Sequence, residues 1–145
     1  MKIMVSACLL GYNVKYDGNN NLNTELINFL KDYDVISVCP EVMGGLSTPR
    51  IPSEIIDNKV INKDKKDVTN EFTNGANKVL LLAKENDIKV AILKDGSPSC
   101  GSSYIYDGTF THTKINGFGI TAKLLSQNGI IVLNENNYKD YFQKI

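Results

Sequence analysis

Four short apolar runs, bounded by polar and turn-forming residues, divide the chain and predict the strands of one sheet. Runs of four to eight apolar residues with such flanks are typical of strands that are buried on both faces. The pattern predicts strands over residues 2–7, 35–39, 88–94 and 130–133.

Apolar residues at helical spacing fill the stretches between these strands. The clearest stripe contains Val68, Phe72, Ala76 and Val79 and predicts a helix over 68–86. Weaker patterns predict helices over 22–33, 117–128 and 137–144. Because strands and helices alternate, right-handed crossovers should produce a mostly parallel sheet. We therefore expect an α/β fold, with residues 1–145 forming one Rossmann-like domain of three α/β/α layers.

Two segments interrupt this alternation. Residues 40–67 predict a loop of about 28 residues, and loops of that length are usually functional or mobile, so the part from 44 to 66 is a candidate lid. Residues 104–106 and 109–113 predict a short hairpin, because Asp107-Gly108 is a turn dipeptide.

Composition narrows the function classes. The 145 residues are 42% hydrophobic and carry no net charge, which gives one domain a core and offers no basic stripe for a nucleic-acid backbone. No apolar stretch reaches the length of a membrane span, and the N-terminus lacks a signal-peptide pattern. Three cysteines cannot all pair in disulfides, so we expect a reducing, cytoplasmic setting.

The cysteines carry the strongest chemical signal. Cys8, Cys39 and Cys100 lie at or just past the ends of the first three predicted strands. Because the carboxyl ends of parallel strands share one edge of a sheet, the three thiols should gather there. Each cysteine is flanked by small or polar residues that allow close approach of backbone N–H groups. Three converging thiolates suggest a metal centre with one coordination position open.

Spacing alone leaves other interpretations of the cysteines open. They can serve as small buried hydrophobic residues, which is common for free cysteine. They can bind zinc, although structural zinc sites usually have four protein ligands and closely spaced cysteine pairs, which the chain lacks. One cysteine can act as a nucleophile, with His112, the only histidine, as its base.

An iron–sulfur cubane with three cysteine ligands would leave a fourth iron able to bind the sulfur of a thiocarbonyl substrate. Hydrolysis of that substrate also needs groups that move protons. Glu41, two residues after Cys39, is the candidate acid/base, because a carboxyl group in a partly dry pocket has a raised pKa. The further candidates are Ser97 for proton relay and Ser99, Arg50 and Asp17 for substrate binding. Each also has a structural interpretation as a turn residue, a salt bridge or a solvated side chain.

Motifs spread over nearly the whole chain resemble the thiouracil desulfidase family. Those motifs are Val5-Ser6-Ala7-Cys8-Leu9-Leu10-Gly11, Tyr16-Asp17-Gly18, Val38-Cys39-Pro40-Glu41-Val42-Met43-Gly44-Gly45-Leu46, Thr48-Pro49-Arg50, Asp67-Val68-Thr69, Ile92-Leu93-Lys94, Ser97-Pro98-Ser99-Cys100-Gly101 and Ile105-Tyr106-Asp107-Gly108-Thr109-Phe110.

The resemblance implies a [4Fe-4S] cluster on Cys8, Cys39 and Cys100, with Glu41 as acid/base and Ser97 assisting. It also implies non-redox removal of sulfur from a thiolated uracil base, nucleoside or nucleotide, with sulfide captured on the fourth iron. The expected partner is therefore a small thiolated pyrimidine. Two alternatives remain open: a sulfide carrier without turnover of its own, and a binding or structural domain with zinc or no metal.

Overall fold

The computed structural model describes residues 1–144 and has a four-stranded parallel sheet at its centre. The strands and helices in chain order are β1 (Lys2–Ser6), α1 (Thr24–Phe29), β2 (Asp34–Val38), α2 (Pro40–Met43), β3 (Ser53–Ile56), β4 (Lys59–Asn62), α3 (Thr69–Glu85), β5 (Val90–Leu93), β6 (Tyr104–Tyr106), β7 (Lys114–Asn116), α4 (Ile120–Gln127), β8 (Ile131–Asn134) and α5 (Tyr138–Gln143).

The central sheet has the strand order β2-β1-β5-β8, and all its pairs are parallel. Ser6 at the end of β1 lies beside Val38 at the end of β2, and Leu93 at the end of β5 lies beside Asn134. The residues that follow β1, β2 and β5 therefore emerge at one edge of the sheet, as predicted.

Both faces of the sheet are covered. Side chains alternate along β1, so Met4 packs towards α3 and α4, whereas Ile3 and Val5 pack towards α1 and α5. Strand β5 divides its side chains in the same way, which explains why β5 and residues 3–5 of β1 are continuously apolar. Among the helices in residues 1–144, none has the length and apolar character needed to cross a membrane.

The predicted α/β architecture is confirmed, but the long loop over 40–67 is wrong. That segment contains α2 and an antiparallel hairpin of β3 and β4. Asp57 and Asn58 form the two-residue turn of the hairpin, both with positive φ, of 50° and 65°. Aspartate and asparagine tolerate this conformation, so the Asp57-Asn58 dipeptide could have predicted the turn.

The second strand of the other predicted hairpin is also displaced. β6 pairs with Lys114–Asn116, not with residues 109–113. Phe110 and His112 have φ of 57° and 58°, a left-handed conformation that a regular strand cannot include. Residues 107–113 therefore form a connection between the two strands.

Candidate active site

A cavity of about 570 Å³ opens at the carboxyl edge of the sheet, and all three cysteines line it. Cys8 lies in a 3₁₀ turn directly after β1, and Cys39 lies between β2 and α2. Cys100 follows β5 in the turn that begins at Ser97. The sheet register thus brings together three residues that are far apart in sequence.

All three thiols are free and have raised pKa values. Burial is the main cause in each case and is most complete for Cys100, which is 5% exposed. The Cys100 thiol also lies within electrostatic reach of Cys8 and Cys39. Opposing effects are a hydrogen bond from Asn21 to Cys8, and backbone N–H groups of α2 that favour the Cys39 thiolate.

The cavity offers three thiols as possible metal ligands. Structural zinc sites usually have four protein ligands, and within residues 1–144 no group of three or more His, Cys, Asp or Glu side chains is arranged to hold one metal ion. Cysteine thiolates are the usual ligands of iron–sulfur clusters, so three thiols around one cavity are a suitable donor set for such a cluster.

Glu41 lines the same cavity and forms a partly buried ion pair with Arg50. It lies in the short helix α2, two residues after Cys39, so the strand end that positions the cysteine also positions the carboxylate. Arg50 Nε donates to Glu41 Oε1 at 3.0 Å, and the two side chains are 7% and 18% exposed, respectively. Burial raises the pKa of Glu41, and the Arg50 charge partly opposes that shift.

Ser97 connects the Cys100 turn to Glu41. Its Oγ accepts hydrogen bonds at 3.0 Å from the backbone N–H groups of Ser99 and Cys100. Since those two donors occupy the oxygen lone pairs, the single hydroxyl proton is left for donation. The Ser97 hydroxyl is near enough to the Glu41 carboxylate to favour its charged form, and this lowers the pKa of Glu41 in opposition to burial.

Arg50 lines the cavity but is not free to clamp a substrate. Besides Glu41, its guanidinium donates to the carbonyl groups of Val14 and Ser47 and to the hydroxyl of Thr48, at 2.8–3.2 Å. Four of its five N–H groups are therefore used within the protein. The remaining N–H cannot form a bidentate clamp, so Arg50 instead fixes Glu41 against the segment around Val14.

The structure places Ser99 and Asp17, the other two residues expected to bind substrate, outside the lining of the cavity. Ser99 is fully buried, outside the cavity lining, and its hydroxyl pairs with Thr121 Oγ1 at 2.7 Å. Asp17 is also absent from the lining. It accepts the backbone N–H of Asn19 at 3.0 Å in a surface turn, which lowers its pKa. Neither position was distinguishable from a turn residue in the sequence.

Two charged residues that follow β5 were not recognised as site residues. Lys94 Nζ donates to the carbonyl of Asp95 at 2.7 Å and pairs with Glu135 at 2.9 Å. Burial works against the charged form of Lys94, but Glu135 outweighs it, so the pKa of Lys94 is raised. Asp95 Oδ1 accepts the backbone N–H groups of Gly96, Ser102, Ser103 and Tyr104 and thereby shapes the Cys100 turn.

Aromatic side chains were also not predicted to line the cavity, and His112 was considered only as the base of a nucleophilic cysteine. Tyr104, Tyr106, Phe110 and His112 all line the cavity. The alternation of Tyr104 and Tyr106 along a predicted strand was an available signal, because side chains two apart share a face. The position of His112 in the cavity was not predictable, because it depends on a left-handed backbone conformation for which the sequence has no pattern.

Comparison with known proteins gives three findings. Residues 3–137 match the family model described as 2-thiouracil desulfurase. The chain is 40% identical to the uncharacterised protein YbbK of Bacillus subtilis (strain 168) over 148 residues, which cover 95% of this chain and 98% of that protein. A solved structure described as a [4Fe-4S]-dependent thiouracil desulfidase, TudS, is 42% identical, has a TM-score of 0.91, and covers 96% of this chain and 93% of its own.

Proposed function

Because the chain belongs to the 2-thiouracil desulfurase family, we propose that it hydrolyses the thiocarbonyl group of a thiolated uracil. Water supplies oxygen to the ring carbon, the C=S group becomes C=O, and sulfur leaves as sulfide. No electrons are gained or lost, so no external reductant is consumed. The observation that carries this proposal is that three thiols far apart in sequence line one cavity.

Cys8, Cys39 and Cys100 are proposed to hold a [4Fe-4S] cluster, the cofactor named for the similar desulfidase structure. Such a cluster on three cysteines supplies one iron without a protein ligand, a Lewis acid that favours sulfur. The donor set fits, because all three thiols are free and line one cavity. Ligation requires reduced cysteines, which supports a reducing, cytoplasmic working environment.

Glu41 is proposed to move the protons of the reaction. A general base must hold a proton acceptor in the cavity, and a partly buried carboxylate that lines the same cavity as the cysteines meets that requirement. Arg50 keeps the carboxylate oriented through Oε1, while the hydroxyl proton of Ser97 holds it against the Cys100 turn. Glu41 thus takes a proton from the attacking water and returns one to the departing sulfur.

The test is sulfide release by anaerobically reconstituted protein supplied with 4-thiouracil or 2-thiouracil and no reductant. Glu41→Gln keeps an acceptor for Arg50 but cannot take a proton. We expect it to retain the iron content and visible absorbance of the wild type and to lose at least about 100-fold in kcat. Glu41→Ala should also lose turnover, and Glu85→Gln, at an exposed position of α3, should match the wild type.

Three outcomes separate the alternatives. Full activity of Glu41→Gln would overturn the role of the carboxylate while leaving the cluster in place. A wild-type protein that binds sulfide but consumes no thiolated uracil would indicate a sulfide carrier. A wild-type protein without iron after strict anaerobic preparation would refute the cluster and the proposed reaction together.

A further inference from the structure

The wall of the cavity formed by β6 and the connection after it carries four aromatic rings. We call Tyr104, Tyr106, Phe110 and His112 the aromatic wall. Tyr104 and Tyr106 project from one face of β6, whereas Ile105 between them is 7% exposed and packs on the other face. The rings of Tyr104 and Tyr106 meet edge-on at 5.9 Å, and those of Tyr106 and His112 at 6.2 Å.

The connection between β6 and β7 separates its aromatic residues from its hydroxyl residues. Asp107 accepts the hydroxyl of Thr109, and the hydroxyls of Thr109, Thr111 and Thr113 form a chain at 2.6–2.8 Å along the exposed side. Phe110 and His112 alternate with these threonines, and positive φ angles direct them to the cavity. A bulky residue rarely adopts this conformation, and such strain clusters at functional sites.

The connection is fixed to the rest of the protein by the hairpin of β3 and β4. Glu54 Oε1 accepts the backbone N–H groups of Gly108 and Phe110, at 2.9 and 3.2 Å. Gly108, at φ 94°, lies so close to the hairpin that a Cβ there would come within 2.6 Å of the Ile56 side chain. The segment is therefore held against the hairpin, and the Phe110 ring is placed before any ligand arrives.

The rings of the aromatic wall differ in what already covers them. The Tyr104 ring packs against Gly96, where a Cβ would come within 2.7 Å of it, and Lys114 Nζ lies 4.5 Å from its centroid. Phe110 forms no stacked or edge-on pair with another aromatic ring in the described part of the chain. Phe110 thus has a partly buried, pre-positioned ring inside the cavity without an aromatic partner.

We propose that Phe110 is the stacking surface for the planar pyrimidine ring of the substrate and that Glu54 is the residue that positions it. The inference rests on the proposed function for the identity of the ring. Stacking on an aromatic side chain recognises the π-face of any base, so it selects a heterocyclic thiocarbonyl over an acyclic one. The aromatic wall would determine which class of thiocarbonyl compound binds, and the residues around the cysteines would carry out the desulfurisation.

Binding of uracil, which carries no sulfur to lose, tests the proposal apart from turnover. The dissociation constant is measured by equilibrium dialysis with radiolabelled uracil on cluster-loaded protein. Phe110→Leu keeps an apolar side chain but removes the π-face, and we expect its dissociation constant to rise about three- to tenfold, with iron content unchanged. Phe110→Trp should bind at least as tightly as the wild type. Phe118→Leu removes an exposed ring outside the cavity and should leave the dissociation constant for uracil and the iron content unchanged.

Substrate preference gives a second readout that a merely structural role would not move. The ratio of kcat/KM for 4-thiouracil over that for thioacetamide should fall in Phe110→Leu and stay constant in Phe118→Leu. Equal uracil affinity and an equal ratio in Phe110→Leu and the wild type would overturn the stacking role, even if the wild type desulfurises thiouracil. If the wild type binds uracil through Phe110 but releases no sulfide, the proposed reaction fails and the stacking surface stands.

Discussion

Gly75 is the point at which helix α3 touches the backbone of α2, the helix that follows Cys39 and contains Glu41. A Cβ at Gly75 would lie 1.9 Å from the carbonyl oxygen of Pro40, whereas real Cβ contacts are essentially never under 3.0 Å. In Gly75→Ala the two helices must therefore separate by about 1 Å or more. The obstacle is a backbone oxygen, so rotation of a side chain cannot relieve the contact.

Two opposing effects decide the stability of this variant. Alanine favours a helix over glycine by about 1 kcal/mol. Overpacking of a closely packed contact typically costs about 1–3 kcal/mol, and the backbone contact at Gly75 belongs at the upper end. We therefore expect a net loss of about 1–2 kcal/mol in the free energy of unfolding. Displacement of Glu41 by about 1 Å should also lower kcat by about 100-fold.

The assay compares Gly75→Ala with Asn77→Ala, an exposed position two residues further along α3. Urea unfolding gives the stability of each variant, and iron content and kcat report on the site. Asn77→Ala should gain up to about 0.7 kcal/mol from helix propensity and keep full activity. If Gly75→Ala shows the same gain and retains its iron and kcat, the close contact between the helices does not position the site.

Two further predictions concern the polar residues that shape the cavity. Arg50→Lys removes the guanidinium group that joins Glu41, Val14 and the 47–48 segment. It should lower the free energy of unfolding at pH 7, measured by urea titration, by about 2–4 kcal/mol. An unchanged midpoint of urea unfolding would contradict the role of that hydrogen-bond network. Burial raises the pKa of Asp95, but hydrogen bonds from Ser103 and from backbone N–H groups outweigh that effect, so the pKa is lowered. The Asp95 carboxylate therefore stabilises the fold above about pH 4, and this contribution is lost as pH falls through the folded-state pKa. Asp95→Asn should therefore be less stable than the wild type at pH 7, and the difference should narrow towards pH 3; a constant difference would refute the argument.

The parallel sheet was predictable because buried strands leave a simple pattern. The central residues 3–5 of β1 and all four residues of β5 are apolar and buried, and their burial on both faces removes any need for alternation. Convergence of Cys8 and Cys39 then follows from parallel pairing, because each lies within two residues of a strand end. Cys100 is carried to the same edge by β5, and its final position also depends on the turn that Asp95 and Ser97 hold.

The other side of the cavity was not predictable in the same way. Residues 109–113 are rich in β-branched threonine and favour a strand, yet a chain of hydroxyl contacts and left-handed residues at 110 and 112 produces an irregular connection. The roles of Ser97 and Ser99 also depend on which hydroxyl faces the cavity, and two serines on either side of a proline look alike in sequence. These features are set by tertiary contacts, which a local pattern does not encode.

The most direct test of the account is quantitation of iron and acid-labile sulfide in anaerobically prepared protein and in the Cys8→Ser, Cys39→Ser and Cys100→Ser variants. We expect about four irons and four sulfides per wild-type chain and a clear loss in each of the three variants. Wild-type stoichiometry in any single variant, or one metal ion per wild-type chain, would contradict the claim that these three thiols together hold a cluster.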